Sequence, residues 1–177
     1  LIGSELVFIL QKEINKIEQS DFTVFEIKND KFSEINEIDK IKDDIDNLIK
    51  NKVLIQDKKE IKNLPFEPGS KVIYKDKDGF VLKYVKEIGG EDSALTFNFY
   101  YNKNGKLAYT LITGGAYNGL DEEYQPISSE LEHKIYFSEE GNKIKESHVI
   151  TKGPGYSWTE VWPENEIILD PLKDFSI

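Results

Sequence analysis

The sequence predicts an α+β protein in which two N-terminal helices pack on an antiparallel β-sheet of consecutive hairpins. Three observations carry that prediction. Ile35, Ile38, Ile41, Ile45, Leu48 and Ile49 recur at helical spacing over 33–50, one apolar stripe in a segment otherwise rich in Asp, Glu and Lys. Further on, Tyr74, Tyr100 and Tyr136 each stand five residues before a glycine (Gly79, Gly105 and Gly141), with a polar turn between and an alternating segment behind. Between these two regimes Pro65, Pro68 and Gly69 interrupt regular structure.

Taken in order, 4–19 reads as the first helix, because Val7, Leu10, Ile14 and Ile17 step by three and four and Ser4 suits the N-cap. Residues 22–28 read as a short strand without a clean polar face. The second helix, 33–50, also carries Glu34, Glu37, Asp39, Asp43, Asp44 and Asp46, read as a solvated acidic face. Both helices present an apolar stripe that the sheet must cover. The chain is therefore read as a single domain over 1–177, helix-rich over 1–63 and a hairpin sheet of six to eight strands over 70–169. Within the second part, 114–126 reads as a long loop, 153–155 as a break, and 166–169 as a last short strand before an irregular tail.

The hairpin around Gly105 allows its register to be worked out. Leu95, Phe97, Phe99 and Tyr101 alternate on one strand, and Leu107, Tyr109 and Leu111 on the next. A two-residue turn would put these rows on opposite faces. A three-residue loop, Lys103 to Gly105 with the glycine left-handed, pairs Tyr101 with Leu107, Phe99 with Tyr109 and Phe97 with Leu111 on the buried face. The same loop in the third hairpin sets His148 against Glu132 and His133 against Ser147, so the two imidazoles point to opposite sides of the sheet; a two-residue turn would bring them face to face.

Composition excludes several functions. The chain has 177 residues, 38% hydrophobic and 32% charged, enough for a core without staples. No run approaches the ~18 apolar residues of a membrane span. There is no Cys, which removes disulfides, thiolate metal sites and Cys nucleophiles. All 23 basic residues are Lys, so no guanidinium fork is available for phosphates or carboxylates. A net charge of −10 repels nucleic acid and anionic membranes and favours a cationic partner. Leu1 in place of Met points to a processed or trimmed chain, so that any export signal would have been lost with the missing segment.

The motifs give no catalytic residues, no metal ligands and no cofactor. Asp76, Asp78 and Gly79 resemble part of a calcium loop, but the EF-hand frame places Tyr74 and Val85 where Asp and Glu are required. The Gly89-Gly90 and Gly114-Gly115 pairs lack phosphate-loop spacing, and no Gly-x-Ser-x-Gly elbow is present. The aromatics of the loops are the positive signal. Tyr117, Tyr124, Tyr156 and Trp158 lie in or beside Gly- and Pro-rich stretches, where strand packing does not call for them, and loop aromatics grip sugars and partner proteins.

Gly90, Glu91 and Ser93, then Phe99, Tyr100 and Tyr101, then Asn104, Gly105, Lys106 and Leu107 form a tandem that resembles a loosely defined group of uncharacterised exported bacterial proteins. Ile135, Tyr136, Phe137, Gly141, Ile144 and Glu146 continue it, so that 70–146 is covered. The resemblance implies an antiparallel sheet and export to the periplasm or cell surface, and it carries over no catalytic residue. The expected function is a non-enzymatic binding protein of the bacterial envelope, with a protein or glycan partner held by Tyr117, Tyr124, Tyr156 and Trp158. The alternatives are an acidic inhibitor or immunity-type protein that neutralises a basic partner, and a carboxylate-dependent hydrolase.

Overall fold

A computed structural model describes residues 31–62, 69–89, 92–154 and 167–177. The chain divides into two compact units, Leu1–Glu37 and Ile38–Ile177. The expected helix over 4–19 and strand over 22–28 lie outside the described residues. The sheet belongs to the second unit.

Seven antiparallel strands form one sheet in strictly sequential order: β1 (Ile55–Ile61), β2 (Gly69–Lys75), β3 (Val81–Gly89), β4 (Ser93–Tyr101), β5 (Leu107–Leu120), β6 (Pro126–Phe137) and β7 (Lys143–Lys152). Sequential order needs only short connections, which the turn residues supply. The turns at 76–80, 102–106 and 138–142 share one design. The fourth residue's N–H donates to the first residue's carbonyl, and Gly79, Gly105 and Gly141 sit at φ +87°, +74° and +90°. The first residue's side chain then ties down the loop. Asp76 Oδ1 accepts from the N–H groups of Asp78 and Phe80, and Asn102 Oδ1 accepts from those of Asn104 and Lys106.

These are the expected three-residue loops, and each carries a bulge that moves the register by one residue. Tyr101 faces Leu107 as the sequence predicts, but Tyr100 then faces Tyr109, Phe99 faces Thr110 and Phe97 faces Ile112. The extra residue is Ala108; Leu82 and Ile144 take the same place in the other two hairpins. The expected pairs Phe99–Tyr109 and Phe97–Leu111 are therefore corrected. Phe97 and Phe99 are fully buried, while Tyr109 and Leu111 point to the other face.

Both faces are covered, which explains the Tyr100-Tyr101 doublet: both rings are buried, one on each side. One face holds the main core of Ile73, Tyr84, Phe97, Phe99, Leu107, Ile112 and Ile135. Its cover over β2 and β3 is a short C-terminal helix (Pro171–Ser176), where an irregular tail is expected. Asp170 caps this helix by accepting from Lys173 N at 3.0 Å, and Pro171 opens its first turn. Phe175 packs edge-on against Tyr84, Tyr84 Oη donates to Asp174 Oδ2, and Lys71 Nζ lies 3.2 Å from the same oxygen. Residues 167–169, expected as the end of a strand, belong to no strand, and Tyr101 Oη donates to Ile168 O at 2.6 Å.

Helix α1 spans 31–50, and its part within the second unit, from Ile38 on, lies on the other face with Ile38 and Ile45 buried; the C-terminal helix is accordingly α2. A left-handed Lys52 (φ +57°) closes α1. The N–H of Val53 reaches Leu48 O, and that of Lys52 reaches Ile49 O. The acidic face of α1 is only partly solvated. Asp39 and Asp46, seven residues apart and so on one stripe, turn onto the sheet. Asp39 accepts from Tyr136 Oη at 3.0 Å, and Asp46 accepts from Lys83 Nζ at 2.8 Å and from Tyr100 Oη at 3.1 Å.

Candidate functional site

Consecutive hairpins divide the connections between two ends of the sheet. The three glycine turns and the C-terminal half of α1 lie at one end. The β5–β6 turn lies at the other, and there the sequence expectation of a loop over 114–126 gives way to paired strand: Gly114 faces Leu131, Tyr117 faces Ser128 and Leu120 faces Pro126. Gly114 permits this by its lack of a side chain, since a Cβ there would stand 2.5 Å from Ala94 O on β4. The neighbouring strands stop earlier. The β4 ladder ends at Ser93 opposite Ala116, and that of β7 at Lys152 opposite Glu130. Tyr117 N–H still donates to Asp92 O at 2.7 Å and Ser128 lies against Gly153, so that 118–127 form a two-stranded tip with no described strand paired beside it.

The tip's turn repeats the hydrogen bonds of the glycine turns. Tyr124 N–H donates to Asp121 O, and Asp121 Oδ1 accepts from the N–H groups of Glu123 and Gln125, both at 2.8 Å. The left-handed place that glycine holds in the other three is taken by Tyr124, at φ +60°. Its side chain is 81% exposed, and Leu120 on the same tip and Tyr117 at its base are 53% and 43% exposed. Of the four residues predicted from sequence, the structure therefore brings Tyr117 and Tyr124 to one hairpin. Tyr156 and Trp158 lie outside the described residues. Gly153, three residues before Tyr156, passes so close to Ser128, the cross-strand partner of Tyr117, that a Cβ on it would meet Ser128 O at 2.1 Å. Sequence reasoning passed over Leu120. The signal was present: Asp121-Glu-Glu-Tyr124 is the Ser138-Glu-Glu-Gly141 turn with Tyr in the place of Gly.

Beneath α1 a set of polar groups ties the helix to the sheet. Tyr100, Tyr109 and Tyr136 form a buried row beneath α1, with ring centroids 5.6 and 4.8 Å apart. Burial, followed by the hydrogen bond to Asp39, pushes the Tyr136 hydroxyl up to about 12, and burial with the charge of Asp46 raises that of Tyr100 as well. These phenols stay protonated and donate to the helix carboxylates. Among the described residues, the carboxyls whose pKa is displaced, Glu140, Glu146 and Asp174, are displaced downward.

The histidines correct the expectation of opposite faces. The bulge at Ile144 sets His133 directly against His148, with ring centroids 6.2 Å apart. His133 is buried and its Nε2–H donates to Glu146 Oε1 at 2.8 Å, and burial lowers its pKa against the pull of that carboxylate. Among the described residues no group of three or more His, Asp or Glu is arranged to hold a metal ion.

Clefts open on the surface among the described residues. One of about 630 Å³ lies along the ends of β1 to β4 beside Ser70, Glu87 and Thr96. Two others, of about 300 and 520 Å³, share Leu48, Leu82 and Lys103 between α1 and the glycine turns. None of these three is lined by a residue of the tip. Among the described residues no helix is long and apolar enough to cross a membrane. Compared with known proteins, the chain matches no protein-family model, no curated protein and no solved structure.

Proposed function

We propose that the protein is a non-enzymatic binding protein of the bacterial envelope, and that the β5–β6 tip is its contact element. The observation that supports this reading most is Tyr124. A bulky residue in the left-handed region is an outlier that costs ~1–2 kcal/mol, and such strain gathers at functional sites. Three sister turns in the same sheet use glycine at that position. The ring buries little surface that would compensate, so it contributes through what it meets outside the chain. A rigid sheet presenting aromatic side chains on a hairpin turn is the ordinary architecture of a protein or glycan contact. The envelope assignment draws its support from the resemblance of 70–146 to exported proteins.

A second reading, an acidic inhibitor or immunity-type protein, is favoured by the charge of the tip itself, Asp121, Glu122 and Glu123. The test common to both is co-sedimentation of the purified chain with isolated bacterial envelopes, comparing the wild type with Y117A/Y124A. The expected result is saturable binding that weakens roughly 10-fold or more in the double variant, as loss of two aromatic anchors does. Equal binding by both proteins would exclude the tip as the contact element.

A further inference from the structure

The charge of the molecule is unevenly distributed along the chain. Lysines recur throughout, yet none lies between Lys106 and Lys134, while Asp121, Glu122, Glu123, Glu130 and Glu132 fall within that stretch. These residues are the β5–β6 hairpin. Two of its five acids are compensated, Glu130 by Lys152 at 3.3 Å and Glu132 by Lys134 at 2.7 Å. Asp121 spends one carboxylate oxygen on the turn. Glu122 and Glu123 are exposed and make no ion pair among the described residues, and they sit between the exposed Leu120 and Tyr124.

From this juxtaposition we infer that the tip docks on a basic protein surface, its apolar side chains entering a pocket whose rim carries lysine or arginine. The inference rests on the reading that the tip is the contact surface, and narrows its partner from protein or glycan to cationic protein. The apolar component comes from Leu120, Tyr124 and Tyr117. The uncompensated carboxylates select the partner, because opposite a neutral or acidic surface they would be desolvated without return. They also raise the rate of encounter, since a single-signed charge at an exposed turn faces little screening from its own protein. A neutral glycan would satisfy the rings but leave Glu122 and Glu123 without a role.

The experiment uses the full chain as bait for a random peptide library, with two variants: Y124G, which keeps the turn geometry and removes the ring, and E122K/E123K, which keeps the ring and reverses the charge. Asp121 is left intact because it ties the turn. The expected outcome is a set of enriched peptides carrying several basic residues around an aromatic or aliphatic one. Their affinity should fall roughly 10-fold or more in each variant, and rising ionic strength should weaken the wild type more than E122K/E123K. Peptides whose binding depends on Tyr124 but not on the charge reversal would overturn the basic partner and leave the tip as the contact element. Binding indifferent to both variants would overturn both readings. Failure to enrich any peptide would also count against a protein partner and transfer the tip to a glycan.

Discussion

Replacing Tyr124 with glycine should make the protein more stable while removing its function. Tyr124 sits at φ +60° with its ring 81% exposed, so truncation loses almost no buried area. Relief of the left-handed penalty returns ~1–2 kcal/mol. Against this, glycine loses about 0.5–1 kcal/mol through the greater freedom of the unfolded chain. The balance is a gain of up to about 1.5 kcal/mol, which for a chain of 177 residues raises Tm by up to roughly 6 °C. Lys52 is the internal control: it too holds a left-handed φ, +57°, at the end of α1, and K52G should gain a similar amount. Calorimetry on wild type, Y124G and K52G, beside the envelope-binding assay, separates the two roles. K52G should gain stability and bind normally, whereas Y124G should gain stability and bind poorly. A fall in Tm for Y124G would show that the ring packs against its own chain, and normal binding would show that the strained tyrosine serves no contact.

Three further outcomes test the fold that holds the tip in place. Gly153 lies at φ +74° with Ser128 O 2.1 Å from where a Cβ would stand, whereas Gly79 at +87° has open space around it; G79A should cost about 1 kcal/mol and G153A at least twice that, read as urea midpoints. Thr110 is fully buried between Phe99 and Ile135 with an Oγ1 that finds no hydrogen-bond partner among the described residues, so T110V should be neutral or stabilise by up to about 1 kcal/mol, and a clear loss of stability would mean that the hydroxyl is bonded. Acidification should weaken the fold over two pH ranges. Burial lowers the His133 pKa, so the unfolded chain takes up that proton first and stability falls as pH drops below ~6.5. Asp174 is opposed by burial but held down by Tyr84 and Lys71, and Glu146 is held down by Lys143; their contributions are complete above ~4.5 and are lost as pH falls through the lowered values. Denaturation midpoints across this pH span check both ranges, and D174N should flatten the loss in the lower one.

The sheet was legible because its signals are local. A glycine five residues after a tyrosine marks a turn, and alternation marks the strands on either side, so the hairpins at 79, 105 and 141 emerged at their true positions. Register was legible up to the first pair, Tyr101 with Leu107, and then slipped, because a left-handed glycine in a three-residue loop brings a bulge and the added residue, Ala108, has no mark of its own. That slip carried through to the histidines, which face one another. The Asp39 and Asp46 contacts were hidden because a carboxylate on a helix reads as solvated until the facing strand is known to present Tyr136, Tyr100 and Lys83. Helix α2 was missed despite an N-cap Asp170 and a first-turn Pro171, since it is too short to show periodicity. The tip was half legible: Tyr117 and Tyr124 stood out as aromatics without a strand role. Their strand was overlooked because Gly114 and Gly115 read as loop, whereas Gly114 admits a close neighbouring backbone.

If 117–126 makes the contact, and not the clefts at the other end of the sheet, the bound partner must protect the tip's backbone. Amide hydrogen exchange on the full chain, with and without the tightest peptide from the library, tests this most directly. The expected result is slowed exchange confined to Leu120 through Gln125 and the adjacent strand ends, with the turns at 76–80 and 102–106 unchanged. Protection at those turns and at the end of α1, around Leu48 and Val53, with the tip exchanging as in the free protein, would contradict it.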